Sequence, residues 1–244
     1  MAGHSKWANI KHRKGAQDAA RSKIFMKLSK EIFVAASGPG GADPETNPSL
    51  RLAVSKAKAQ SMPKANIEKA LSKASGNSKN ASEFKELIYS GSLPGGAIIL
   101  VICLTDNLNR AISNIKAAFS KIGGQLGKSG SIPYIFERKG VLDILKEEYE
   151  NSDQLMLEAL DAGAEDVQTF EDFSRIITNP SNFQEVKDKI DKALSLENYA
   201  TAEIQYLPNT TVSFEKEKLE KLETWIETLE DNEDVQEIYH NIDF

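Results

Sequence analysis

The chain has 244 residues, of which 40% are hydrophobic and 27% charged, with a formal net charge of −6. This length and apolar content support two or three domains, each with its own core, and rule out a chain that is disordered throughout. A single cysteine, Cys103, excludes internal disulfides and cysteine-based zinc clusters.

The net charge hides a partition. Residues 1–76 carry 14 Lys and Arg against 5 Asp and Glu, whereas residues 77–244 carry 16 against 31. A basic end of +9 on an acidic body of −15 implies a polyanion-binding end joined to a body that repels nonspecific polyanions.

The opening stretch, residues 3–18, concentrates the positive charge. Lys6, Lys11, Arg13 and Lys14 are cationic, His4 and His12 can become so, and the only large apolar groups are Trp7 and Ile10. Two such groups do not offset the entropy of ordering the stretch, so a flexible basic tail is expected over residues 1–20. Lys and Arg displace counterions from phosphates while an indole stacks on a base, so a nucleic acid is the partner that would order this tail. The plain alternative is a solvated terminus with no partner. Loss of Met1 would leave Ala2-Gly3-His4, the amine, amide and imidazole donors of a square-planar site for Cu(II) or Ni(II). Adventitious metal binding at His4 is expected there, with no metal of function. No apolar leader precedes the basic stretch, so a cytoplasmic, bacterial protein is expected.

From Ala19 the pattern is helical. Ile24, Leu28, Ile32 and Ala36 recur every four residues, joined by Phe25 and Phe33, with Arg21, Lys23, Lys27 and Lys30 on the other side. Gly38-Pro39-Gly40-Gly41 ends that helix. Asn47 caps a second, with Pro48 at its first position, an apolar stripe of Leu50, Ala53 or Val54, and Ala57, and a polar side carrying Arg51, Lys56 and Lys58. A third begins near Pro63, buries Ile67, Ala70 and Leu71, and stops at Gly76. These helices predict a small all-α bundle over residues 21–76.

Beyond Gly76 the character changes. Phe84–Tyr89 and Ala97–Leu104 read as strands of a hairpin, with Cys103 a small core residue in the second; Asn109–Ile122 follows as an amphipathic helix. Ile132–Glu137 and Gly140–Leu145 read as two strands, Gln154–Ala162 as a helix, Val167–Phe170 and Phe173–Thr178 as strands, and Phe183–Leu194 as a helix. Thr201–Leu207 and Thr211–Phe214 are predicted strands, Glu215–Leu229 an acidic helix and Val235–Tyr239 a last strand. Residues 133–207 then read as β-β-α-β-β-α-β, a ferredoxin-like unit with an extra edge strand, inserted in a discontinuous α+β domain of residues 77–132 plus 208–244. The expected fold is α+β and multidomain: an amino-terminal helical bundle followed by two α+β domains, one inserted in the other.

Gly127-Lys128-Ser129 has the ending of a phosphate-binding loop, but Ile122 stands where that motif needs glycine, and a helix precedes the loop where a strand is required. A flexible loop between domains, with Lys128 as an extra phosphate contact, is the better reading. The only histidine of the body is His240, and no nucleophile elbow or zinc-protease helix is present. No enzyme and no cofactor are expected.

Residues 3–18 with Arg21-Ser22-Lys23-Ile24-Phe25 resemble the opening of the YebC/PmpR family. The resemblance continues through Asn47–Val54, Met62–Glu68, Leu104-Thr105-Asp106-Asn107, Asn109-Arg110, Gly127–Ser131, Gly163–Asp166, Leu229-Glu230-Asp231 and Asp234-Val235-Gln236, nearly the whole chain. It implies a three-domain architecture and a regulator of gene expression; bacterial members are described as transcriptional regulators, and a mitochondrial relative as a translational activator of a cytochrome oxidase subunit. Tyr89–Gly96, Ala65 and Pro133 depart from the family pattern.

Together these point to a non-enzymatic nucleic-acid-binding regulator. Lys6, Lys11, His12, Arg13, Lys14, Arg21, Lys23, Lys27, Lys30, Arg51, Lys56 and Lys58 would meet phosphates and Trp7 would stack. Such contacts position a protein without reading sequence, which favours ribosomal RNA and translation over a promoter, with DNA and transcription kept as the other target. The alternative from another class is a protein adaptor, working through Glu220, Glu223, Glu227, Glu230 and Asp231.

Overall fold

The computed structural model describes residues 19–75, 84–128, 130–196 and 198–244. The chain forms two compact units: one runs up to Phe136 and resumes at Pro208–Phe244, and the other is Glu137–Leu207.

In the first unit, three helices come first: α1 (Ala19–Ser37), α2 (Pro48–Ala59) and α3 (Lys64–Ser75). Their apolar stripes close a core of Leu28, Ile32, Leu50, Ala53, Ala57, Met62, Ile67 and Ala70. Asn47 fixes the corner between α1 and α2. Its Oδ1 accepts from the Leu50 N–H at 3.1 Å, capping α2. Its Nδ2 donates to the carbonyls of Ala35 at 2.8 Å and Gly41 at 2.7 Å. One buried amide thus satisfies the end of one helix and the start of the next.

The rest of this unit is a sheet with two helices. Strands β1 (Lys85–Ser92) and β2 (Ile98–Thr105) form an antiparallel hairpin; α4 (Leu108–Lys121) and the two-residue β3 (Gln125–Leu126) follow. After residue 207 come β8 (Val212–Ser213), α7 (Lys216–Glu230), β9 (Val235–His240) and β10 (Ile242–Asp243). The sheet order is β3-β1-β2-β9, so the carboxy-terminal strand lies antiparallel beside β2, while β8 and β10 make a separate parallel pair. The core holds Ile99, Val101, Cys103, Ile115, Phe119, Leu222, Trp225, Ile226 and Leu229. Trp225 meets Phe119 edge to face at 5.2 Å and donates its indole N–H to the Ala118 carbonyl at 2.9 Å, which joins α7 to α4.

The second unit contains β4 (Phe136–Leu145), α5 (Ser152–Ala162), β5 (Asp166–Thr169), β6 (Phe173–Thr178), α6 (Phe183–Leu194) and β7 (Thr201–Pro208), in sheet order β5-β6-β4-β7. This is the ferredoxin-like arrangement, β-α-β-β-α-β, and among the described residues the expected additional edge strand is absent. The two strands expected over 132–145 are one. Gly140, expected to open the second of them, lies within β4, opposite Thr178. A Cβ there would sit 2.2 Å from the Thr178 hydroxyl and 2.5 Å from a Phe183 ring carbon. The glycine serves close packing of α6 on the sheet, not a turn. Asp143 and Arg175, paired across β4 and β6, form a buried two-pronged ion pair at 2.7 and 2.8 Å.

Candidate nucleic-acid interface

Of the residues expected to meet a nucleic acid, Lys6, Trp7, Lys11, His12, Arg13 and Lys14 lie outside the described residues, as does His4. Arg21 sits in the first turns of α1.

The other α1 lysines converge on one turn. Lys23 pairs with Asp231 at 2.8 Å, Lys27 donates to the Glu230 carbonyl at 2.8 Å and Lys30 donates to the Glu233 carbonyl at 2.7 Å. Lys30 also lies over the Phe84 ring, 5.7 Å from its centroid. Lys56 of α2 pairs with Glu237 and reaches Glu31 at 3.4 Å. The physical reason is the end of α7. Its last carbonyls lack partners within the helix, and the macrodipole places partial negative charge there, so ammonium groups settle on Glu230 and on Asp231 just beyond it. Lys23, Lys27, Lys30 and Lys56 therefore bind the bundle to the carboxy-terminal part of the same unit.

Arg51 donates to the carbonyls of Pro44 at 3.0 Å and Glu45 at 2.7 Å, holding the α1–α2 connection from its exposed position. Lys58 is exposed at the end of α2. Sequence reasoning passed over Lys64, Lys69 and Lys73 of α3, which are all exposed; Lys64 has only a loose contact, 3.6 Å, with Glu68 one turn on. The signal was present in the same interleaving of lysine with apolar residues that marked α1. Folding turns the solvent-facing charge of the bundle toward α2 and α3.

The same turn is held from its other side by residues of the quoted motifs. The Asp234 carboxylate, wholly buried, accepts from Arg110 at 2.8 Å (Nε) and 2.6 Å (Nη2) and from the Thr105 hydroxyl at 2.7 Å. Arg110 also reaches Asp106 at 3.0 Å, and the Asn107 side chain caps α4 by accepting from the Arg110 N–H at 3.0 Å. The guanidinium holds Asp234 below the usual carboxylate range despite its burial. Every oxygen of that carboxylate is engaged, so the cluster is a clamp and not an acid–base pair.

Other reactive side chains serve the core. Burial pushes the Cys103 thiol up to about 12, leaving it protonated and shielded. Burial pushes His240 down to about 4, and its Nδ1 accepts from the Ile242 N–H at 3.3 Å. Among the described residues no cluster of His, Cys, Asp and Glu could hold a metal ion, and no helix is long and apolar enough to cross a membrane.

Comparison with known proteins gives one answer along the chain. Residues 5–77 match the model of the TACO1/YebC protein N-terminal domain, and residues 84–242 match that of the TACO1/YebC second and third domain. A probable transcriptional regulatory protein of Mycoplasmopsis agalactiae is 52% identical over all of this chain and 99% of its own length. One from Geobacillus kaustophilus is 50% identical over all of this chain and 98% of its own length. The crystal structure of a conserved hypothetical protein from Aquifex aeolicus superposes with a TM-score of 0.81 at 39% identity, covering 93% of this chain and 91% of that one.

Proposed function

The chain belongs to the TACO1/YebC family, and we propose that it acts as a non-enzymatic regulator of gene expression that binds nucleic acid through its basic amino-terminal third. The charge partition carries this reading: 14 cations against 5 anions in residues 1–76, and 16 against 31 in the rest. The names of the relatives, probable transcriptional regulatory proteins, support the regulatory role.

In this reading Lys6, Lys11, His12, Arg13, Lys14 and Arg21 meet phosphates and Trp7 stacks, with Arg51, Lys58, Lys64, Lys69 and Lys73 extending the positive surface. Lys23, Lys27, Lys30 and Lys56 keep the bundle in place, since ammonium groups already paired with carboxylates and helix carbonyls release fewer counterions on binding. Phosphate and stacking contacts carry no base code, so structured or single-stranded RNA, such as a ribosomal surface, is favoured over a promoter. The adaptor reading keeps Glu220, Glu223 and Glu227, while the Asp231 carboxylate at the end of its acidic helix already pairs with Lys23.

The test is sedimentation of the native protein through a sucrose gradient at low and high salt, with DNase- and RNase-treated samples and a variant lacking residues 2–20. Co-migration with ribosomes that survives DNase and vanishes on truncation is the expected result. Migration at the top of every gradient, with retained promoter binding, would put DNA first. With purified components and about six phosphates neutralised, log K should fall against log[salt] with a slope of about −4 on single-stranded RNA and about −5 on duplex DNA.

A further inference from the structure

The loop between β3 and β4 presents an aromatic ring to solvent. Tyr134 is 90% exposed and is the one exposed aromatic side chain among the described residues. Ile132 beside it is 40% exposed, and Lys128, six residues earlier, is exposed. Folding ordinarily removes a tyrosine ring from water, leaving only the hydroxyl wet. Here the ring is the exposed part.

A frayed loop does not explain this, because the backbone is anchored on both sides of the ring. The Gly127 N–H donates to the Ser90 carbonyl and the Gly130 N–H to the Ile88 carbonyl, each at 2.7 Å, tying the start of the loop to β1. A Cβ at Gly127 would come within 3.0 Å of the Ser90 carbonyl oxygen, so only glycine lets the chain run this close. On the far side the Phe136 N–H closes a turn on the Pro133 carbonyl at 3.0 Å, and the Asn209 N–H donates to the Ile135 carbonyl at 2.8 Å. The next two residues, Ile135 and Phe136, are buried, at 5% and 6% exposure. The tyrosine stands on a fixed base.

We propose that Tyr134 is a stacking platform for an unpaired nucleobase, with Lys128 meeting the adjacent phosphate, in a contact separate from the basic amino-terminal segment. This rests on the nucleic-acid reading above and narrows it to strands with accessible bases, because a paired base in a duplex offers no free face. A protein partner suits the surface less well. In this loop only Ile132 adds another exposed large apolar side chain, whereas a stable protein interface needs a broad apolar centre. The remaining neighbours, Gly127, Lys128, Gly130 and Ser131, are small or cationic, as a strand backbone requires.

The test compares the full-length chain with Tyr134→Ala, Tyr134→Trp, Lys128→Ala and the variant lacking residues 2–20. Each is titrated against a short unstructured RNA and a duplex DNA of equal length, at several salt concentrations. Tyr134→Ala should weaken RNA binding by about ten- to a hundredfold with an unchanged salt slope, leave duplex binding untouched, and be rescued by Tyr134→Trp. Lys128→Ala should lower the slope on RNA by about 0.7. Identical thermal melting of Tyr134→Ala and the native chain checks that the exposed substitution leaves the fold intact. Native-like RNA binding by Tyr134→Ala, or equal loss on both probes, would overturn the platform; loss of binding in the truncated variant would meanwhile leave the broader reading standing. If the unmodified chain bound neither probe at low salt, the nucleic-acid reading itself would fall, and the platform with it.

Discussion

Asp234 shows how much one side chain can hold. Its carboxylate joins Thr105 at the end of β2 and Arg110 in α4 to the turn between α7 and β9, and it is wholly buried while Arg110 reaches solvent. Removing it takes the carboxylate acceptor from the buried Thr105 hydroxyl, while Arg110 keeps solvent and Asp106. Asp234→Ala should therefore cost about 1.5–3 kcal/mol, the range for hydrogen bonds to a charged group, and lower the melting temperature by about 3–12 °C. His240 makes a pH prediction. Its ring is held neutral, down to about 4 from 6.5, because burial penalises the cation. The unfolded chain takes up a proton at about 6.5 and the folded chain only near 4. Stability should then fall as pH drops between these values, by up to about 3 kcal/mol, and this histidine adds no further slope below pH 4. Urea midpoints measured at pH 7, 6 and 5 should converge for the native chain and His240→Gln at the acid end, with the native chain alone showing the histidine slope.

Among elements, the α1–α2 corner and β4 contrast in how readable they are. The α2 start was legible in Asn47-Pro48, because capping and a fixed φ are local effects. What the local pattern does not contain is that the same Asn47 amide also closes the end of α1. Asn47→Ala should cost about 2–3 kcal/mol, above an ordinary cap, because two donors' partners are stranded as well; chemical denaturation of the full chain would measure it. In β4, Gly140 follows Glu137-Arg138-Lys139 and reads as the start of a new strand, yet it lies inside one strand and is there for the side chains facing it. Gly140→Ala should destabilise the second unit by about 1–3 kcal/mol, and a first unfolding transition at lower temperature, with Trp225 fluorescence unaffected, would show it. Tyr134 belongs with β4: hydrophobicity places it in a strand, and only the turn at Pro133–Phe136 brings it outside.

At the scale of the molecule the question is how one chain carries a basic bundle, a discontinuous sheet and an insertion. The ends flanking the insertion meet, since Asn209 bonds back to Ile135 at 2.8 Å. The first unit should therefore close without the second. Replacing residues 137–207 by a short Gly/Ser link should leave cooperative melting and the near-ultraviolet signal of Trp225, packed on Phe119, whereas loss of both would show that the sheet depends on the insertion.

The sequence by itself determined what depends on neighbours a few residues apart: helix and strand periods, caps, the basic opening, the split in charge and the resemblance that the family models bear out. Only the tertiary structure decided which charges stay available. Lys27 and Lys58 look alike in the sequence, each a cation on an amphipathic helix. One is half-buried and donates to the Glu230 carbonyl, 203 residues away, and the other faces water. Partners that distant in the chain are set by how the helix ends and strands pack, and no local pattern of residues encodes them.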